Sequence, residues 1–165
     1  MGRFLRSLSV IGIVLAMAAP LSGQSPAAGA LTIRVGERSV VLSRAELATL
    51  PRHKIDAGDG TGADPVTGVS LWDVLERAKA VPAAASGRQR AVMYIRLVGA
   101  DGQNALIALV EVDPSFSKRL VVLADQRAGR PLDDVEGPWR AIVPDDLRHA
   151  RWIRGLVTIA VETLK

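Results

Sequence analysis

The sequence predicts an α+β domain with a mixed β-sheet core and short helices. Three observations predict it. Strand-like runs outnumber helix-like ones, the two kinds do not alternate regularly, and no internal repeat is visible. The chain has 165 residues, enough for one domain plus a leader. A domain of that size buries roughly two-thirds of its unfolded surface and needs no staples.

Residues 1–30 read as a leader. Arg3 and Arg6 form a positive start, and Leu8 to Ala19 is an apolar run of signal-peptide length. Ser22-Gly23-Gln24 and Ala28-Gly29-Ala30 supply small residues for cleavage. The expectation is export by the general route to a periplasmic or secreted location. Arg3 and Arg6 are not adjacent, so the twin-arginine signal that exports folded, cofactor-loaded proteins is missing. Residues 31–165 form the expected domain, with no apolar run of membrane-spanning length. Without residues 1–30 the net charge falls from +4 to +2, 19 basic residues against 17 acidic. So small an excess, with few aromatics, predicts no nucleic-acid partner. Cysteine is absent, so there is no disulfide, thiolate nucleophile or thiolate metal ligand. His53 and His149 cannot alone make a three-ligand zinc site.

In order along the chain, Leu31 to Val35 alternates as a strand, Gly36-Glu37 turns it, and Ser39 to Leu42 returns. Ser43-Arg-Ala-Glu46 has the form of a capping box opening a short helix, with Leu47 and Leu50 inward. Pro51 ends that helix. Residues 52–67 read as an irregular, glycine-rich loop with Asp56, Asp59 and Asp64. These three carboxylates lack the closing Glu of a calcium loop, and no phosphate-loop Lys-Ser/Thr follows the glycines. Ser70 should cap a second helix, with Asp73 at its third position and an apolar stripe from Leu71 to Ala78. Val81 to Gly87 reads as a connector. Ala91 to Val98 and Gln103 to Val110 read as a hairpin joined by Gly-Ala-Asp-Gly. Asp113-Pro114 marks a turn or helix start, Arg119 to Ala124 another strand, and Asp125 to Pro131 a turn. Gly155 to Leu164 is the terminal strand.

Gly137 to Trp152 is the stretch around which the rest is arranged. Pro138 and Pro144 deny backbone donors and bracket an apolar run, so Trp139 to Val143 reads as a strand with Trp139, Ala141 and Val143 on one face. Arg148, His149, Arg151 and Arg154 follow within seven residues. Such a cluster reads either as an anion site or as a solvated basic rim. For Arg140 the alternatives are a ligand contact and an ion pair with Asp133 or Glu136.

Several motifs now stand in a shared order: Gly68-Val-Ser-Leu-Trp-Asp-Val-Leu, Asp101-Gly102, Leu123-Ala124 with Gly129-Arg-Pro-Leu132, Gly137-Pro-Trp-Arg140 running to Val143-Pro144, and Arg151-Trp152-Ile. Together they make residues 31–164 resemble the molybdopterin-binding oxidoreductase domain. This is the catalytic-domain type of sulfite oxidase and of periplasmic methionine sulfoxide reductases. The resemblance implies the sulfite-oxidase-type mixed α+β fold. It also implies that Arg140, Arg148 and Arg151 stand where the family contacts its pterin and phosphate, and that His53 lies near the family's loop of cofactor contacts. The family's molybdenum also takes one protein cysteine, near where this chain has Asp56 to Gly60, and that ligand is missing.

The expectation is therefore an exported oxidoreductase-like domain without molybdenum redox catalysis and with no catalytic or metal-ligating residue assigned. It would hold no cofactor, and would bind a small anionic ligand or an exported protein partner. Two alternatives stand beside it. One is an active molybdopterin-dependent oxidoreductase with a non-cysteine ligand such as Asp56 or Asp59. The other is an accessory or structural module of an envelope complex. No Gly-x-Ser-x-Gly elbow supports a hydrolase.

Overall fold

The computed structural model describes residues 29–57 and 64–164. The expected leader lies outside the described residues except for Gly29 and Ala30. Gly58, Asp59, Gly60 and Gly62 lie outside them too.

The chain opens with the hairpin β1 (Leu31–Val35) and β2 (Arg38–Leu42), then α1 (Arg44–Ala48). The capping box forms: Glu46 N–H donates to Ser43 Oγ, and Ser43 N–H donates to the Glu46 carboxylate at 2.9 Å. Next come β3 (Arg52–Ile55), β4 (Val66–Ser70) and α2 (Leu71–Arg77). Asp73 N–H donates to Ser70 Oγ at 3.2 Å, the cap that the sequence predicts. Then follow α3 (Gly87–Ala91), β5 (Met93–Gly99), β6 (Asn104–Ala108) and α4 (Leu109–Val112). The chain ends with β7 (Val122–Arg127), β8 (Arg130–Pro131), β9 (Arg140–Ile142), a 3-10 turn at His149–Arg151, and β10 (Leu156–Thr163). Among the described residues no helix is long and apolar enough to cross a membrane.

The strands form two five-stranded sheets. The first runs β2-β1-β10-β5-β6, antiparallel except that β1 and β10 pair in parallel. The second runs β3-β4-β7, with β8 and β9 both pairing the far edge of β7, and is antiparallel throughout. Ile33, Ile95, Ile159 and Val161 of the first sheet and Val69, Leu123 and Ala141 of the second are all buried in one continuous core. Trp139 is wholly buried, and its Nε1–H donates to Gly29 O at 2.7 Å, tying the start of the domain to the stretch before β9. At Gly68 a Cβ would lie 2.1 Å from Leu123 O, so only glycine lets β4 and β7 approach at that register.

Several sequence expectations are corrected. The stretch 52–67 is not one irregular loop. Arg52–Ile55 and Val66–Ser70 are paired strands, and the second runs directly into the cap of α2. The strand expected over Trp139 to Val143 is only Arg140–Ile142. Ala141, Ile142 and Val143 are all buried, so it has no single inward face. Arg119 to Leu120 is not strand. Instead β7 starts at Val122 and continues to Arg127 into what reads as a turn. Helix α4 takes the end of the run expected as strand up to Val110, and α3 takes its beginning at Ala91. Strand β3 buries no residue and is made by its pairing with β4. Helix α3 likewise buries none and is opened by the capping box of Ser86 and Gln89, whereas Leu109 and Val112 of α4 are buried.

Candidate functional site

The expected anion site is carried by β9 and the loop after it. Strand β9 presents Arg140, and the loop from Pro144 to the 3-10 turn presents Arg148, His149 and Arg151. Trp152 joins them. Its Nε1–H donates to Val143 O at 3.0 Å, which holds the ring under the loop. His149 stacks on that ring with centroids 3.8 Å apart and planes inclined by 21°. The Arg140 guanidinium carbon lies 5.4 Å from the ring centroid, in cation–π range. The fold thus brings Arg140 and His149 onto one buried indole, with Arg151 its neighbour in sequence.

The charges of this cluster are answered from within the chain. Arg140 pairs with Glu136, the alternative that the sequence offers. Arg127 donates to the same carboxylate from Nη2 at 3.1 and 3.2 Å. Arg151 grips Asp146 with two bonds, Nε–H at 2.8 Å and Nη2–H at 2.5 Å. These hydrogen bonds hold the Asp146 carboxyl below its ordinary value of 3.8. Arg151 Nη1 also lies 3.4 Å from Glu111, which pairs with Arg119. A two-bond arginine–carboxylate grip uses the same planar fork that would hold phosphate. Arg148 differs. It is exposed, beside the almost fully exposed Leu147, and makes no ion pair among the described residues.

His53 is not part of this cluster. It sits on β3 with Nε2 3.9 Å from an Asp73 carboxylate oxygen. Strand register places His53, Gly68, Ala124 and Arg140 in one row across the second sheet. Three strand spacings separate the row's ends, roughly 14 Å.

Sequence reasoning missed the counter-charges. Glu111 and Asp146 carry no motif. Glu111 lies 40 residues from Arg151, and only the fold brings them together. Missed too was a second cluster on the first sheet, where Tyr94 Oη–H donates to Glu162 at 2.6 Å and Arg96 Nε–H to the same carboxylate at 3.1 Å. Its only sequence signal is the polar half of two alternating strands.

No protein-family model matches the chain, and no curated protein does. Among solved structures it is similar to the sulfane dehydrogenase SoxCD from Paracoccus pantotrophus. The TM-score is 0.59 at 18% identity, over 81% of this chain and 38% of that one. The likeness shows the fold: mixed α+β, of the sulfite-oxidase type. This chain spans well under half of the SoxCD chain's length.

The fold family implies a molybdopterin cofactor, and the residues present do not fit one. The family's thiolate ligand has no counterpart anywhere in the sequence. Among the described residues no group of three His, Cys, Asp or Glu side chains could hold a metal. Of the arginines that the resemblance assigns to cofactor contact, Arg140 and Arg151 are paired with carboxylates.

Proposed function

We propose that this chain is an exported binding domain, built on the sulfite-oxidase-type fold, that performs no molybdenum redox chemistry and engages a protein partner. The observation that carries the reading is the internal neutralisation of Arg140 by Glu136 and of Arg151 by Asp146. An external small anion must displace a carboxylate already held in place by the fold, and the displaced carboxylate is then left beside the incoming charge. Such a site disfavours free phosphate or pterin phosphate. The missing thiolate supports the same reading, because soft sulfur ligation is what suits the metal's place in this family. A partner protein, by contrast, needs only an accessible surface.

The test is metal and pterin content of the protein purified from its native envelope fraction. Molybdenum is measured by elemental analysis and pterin by fluorescence after acid release. The expected result is neither at stoichiometric level. Molybdenum and pterin near one per chain would overturn the reading and direct attention to Asp56 as a ligand.

A further inference from the structure

A second surface lies away from the Arg140 cluster, at the end of the first sheet. Three clefts of about 700, 710 and 370 Å³ meet there, and all three are lined by Pro82. Their apolar lining is Trp72 and Val81 in one cleft, Met93 in the other two, and Pro82 in all three. The clefts thus run on as one groove from α2 to the outer face of β10.

Charge along the groove is uneven. Arg34, Arg96, Lys79 and Arg90 line it against two acids, Glu76 and Glu162. Arg96 is taken by Glu162 and Arg90 by the buried Asp113. Arg34 lines one cleft and Lys79 another, and both are exposed; Arg34 acts from a distance on Glu162, which Arg96 already holds. The groove therefore offers two exposed positive side chains beside an apolar lining.

A backbone edge opens into the same groove. Strand β1 pairs with β10 only as far as Val161. Leu164 N–H donates to Val92 O at 2.9 Å. Antiparallel ladders alternate, so Thr163 turns its own N–H and C=O away from β5 and towards the side where β1 has ended. An extended chain laid in the groove can pair with that edge, as strand-adding peptides do.

We infer that this groove docks an extended, acidic segment of a partner protein. Carboxylates of the segment would meet Arg34 and Lys79, and apolar side chains between them would cover Met93, Pro82 and Trp72. Without residues 1–30 the chain still has a net charge of +2, and Arg34 and Lys79 would face their own copies, so a second copy is opposed by like charge. A concave groove also fits a single strand better than a flat lipid surface. The inference rests on the binding-domain reading above and adds the partner's chemistry to it.

The test uses the full chain and a fluorescein-labelled synthetic peptide of alternating Val and Glu, about ten residues long, read by fluorescence anisotropy. Saturable binding is expected, absent for an alternating Val-Lys peptide and lost when the Val-Glu peptide is N-methylated at every residue. The double variant R34E/K79E, with folding checked by circular dichroism, should bind at least about tenfold more weakly. The variant R130E, on the second sheet, should bind as the wild type does. No saturable binding, or equal binding by R34E/K79E, would overturn the inference. So would self-association or sedimentation with anionic vesicles in place of peptide binding. None of these outcomes alters the molybdenum and pterin result, so the two failures can be told apart.

Discussion

At the scale of single residues, the decisive feature is that Glu136 pairs with Arg127 and Arg140, and Asp146 with Arg151. Replacing Glu136 by Gln removes the charge that holds Arg127 and Arg140. The E136Q protein should lose about 1–3 kcal/mol of stability. It should also gain what the wild type lacks, a rise in melting temperature on adding sulfate. Thermal melts with and without sulfate, at matched ionic strength, check both. A second prediction concerns acid. Hydrogen bonds from Arg151 hold the Asp146 carboxyl below its ordinary value. For Asp113, burial pushes its carboxyl up, but hydrogen bonds from Arg90 and Ser115 outweigh it and leave it below the ordinary value as well. Groups depressed in the folded state stabilise it above their unfolded values, and that contribution is lost as pH falls through the folded ones. Urea midpoints should therefore be flat down to about pH 4 and fall below it. The variant D146N should fall less steeply, from a lower plateau.

Residue chemistry of this kind was only half legible in the sequence. Arg140 with Glu136 could be read from a spacing of four positions. Glu111 could not, because its contact with Arg151 depends on how α4 and the loop after β9 meet in space, and Asp146, five positions before Arg151, carries no spacing signal. The separation of His53 from the arginines was hidden for the same reason: it depends on β4 and β7 lying between β3 and β9.

At the scale of elements, β5 and β10 place Tyr94 directly opposite Glu162. The hydrogen bond to Glu162, more than desolvation, pushes the Tyr94 hydroxyl up from its ordinary value of 10.0. The variant E162Q should bring the tyrosine titration back towards 10.0, read as ultraviolet difference absorbance. The chain has one tyrosine, so the signal is unambiguous. The elements themselves were readable where apolar and polar residues alternate, as in β1, β5 and β10, or where a cap announces a helix, as at Ser43 and Ser70. Strand β3 was missed because Arg52, His53 and Lys54 give no apolar alternation. It is an edge strand, and only pairing with β4 makes it one. Strand β4 was missed because Gly68 and the cap at Ser70 read as the prelude to α2. Gly68 is in fact the point where two backbones nearly touch.

At the scale of the whole molecule, the α+β class followed from the balance and order of runs, but the division into two sheets did not. Nothing local distinguishes a strand that joins β1 from one that joins β7. The order β2-β1-β10-β5-β6 sets the strand formed last in sequence between two hairpins formed earlier. A chain ending at Gly155 should therefore lose cooperative urea unfolding altogether, read by tryptophan fluorescence, rather than shift its midpoint.

That central position of β10 also has a consequence in time. Synthesis delivers the chain from its first residue to its last. Until Leu156–Thr163 emerges, the hairpins on either side have no common neighbour, and their inner faces have nothing to close against. The core cannot shut early. For most of its passage out of the ribosome this protein is a slack polymer with local hairpins. It locks only when its final segment slides between them.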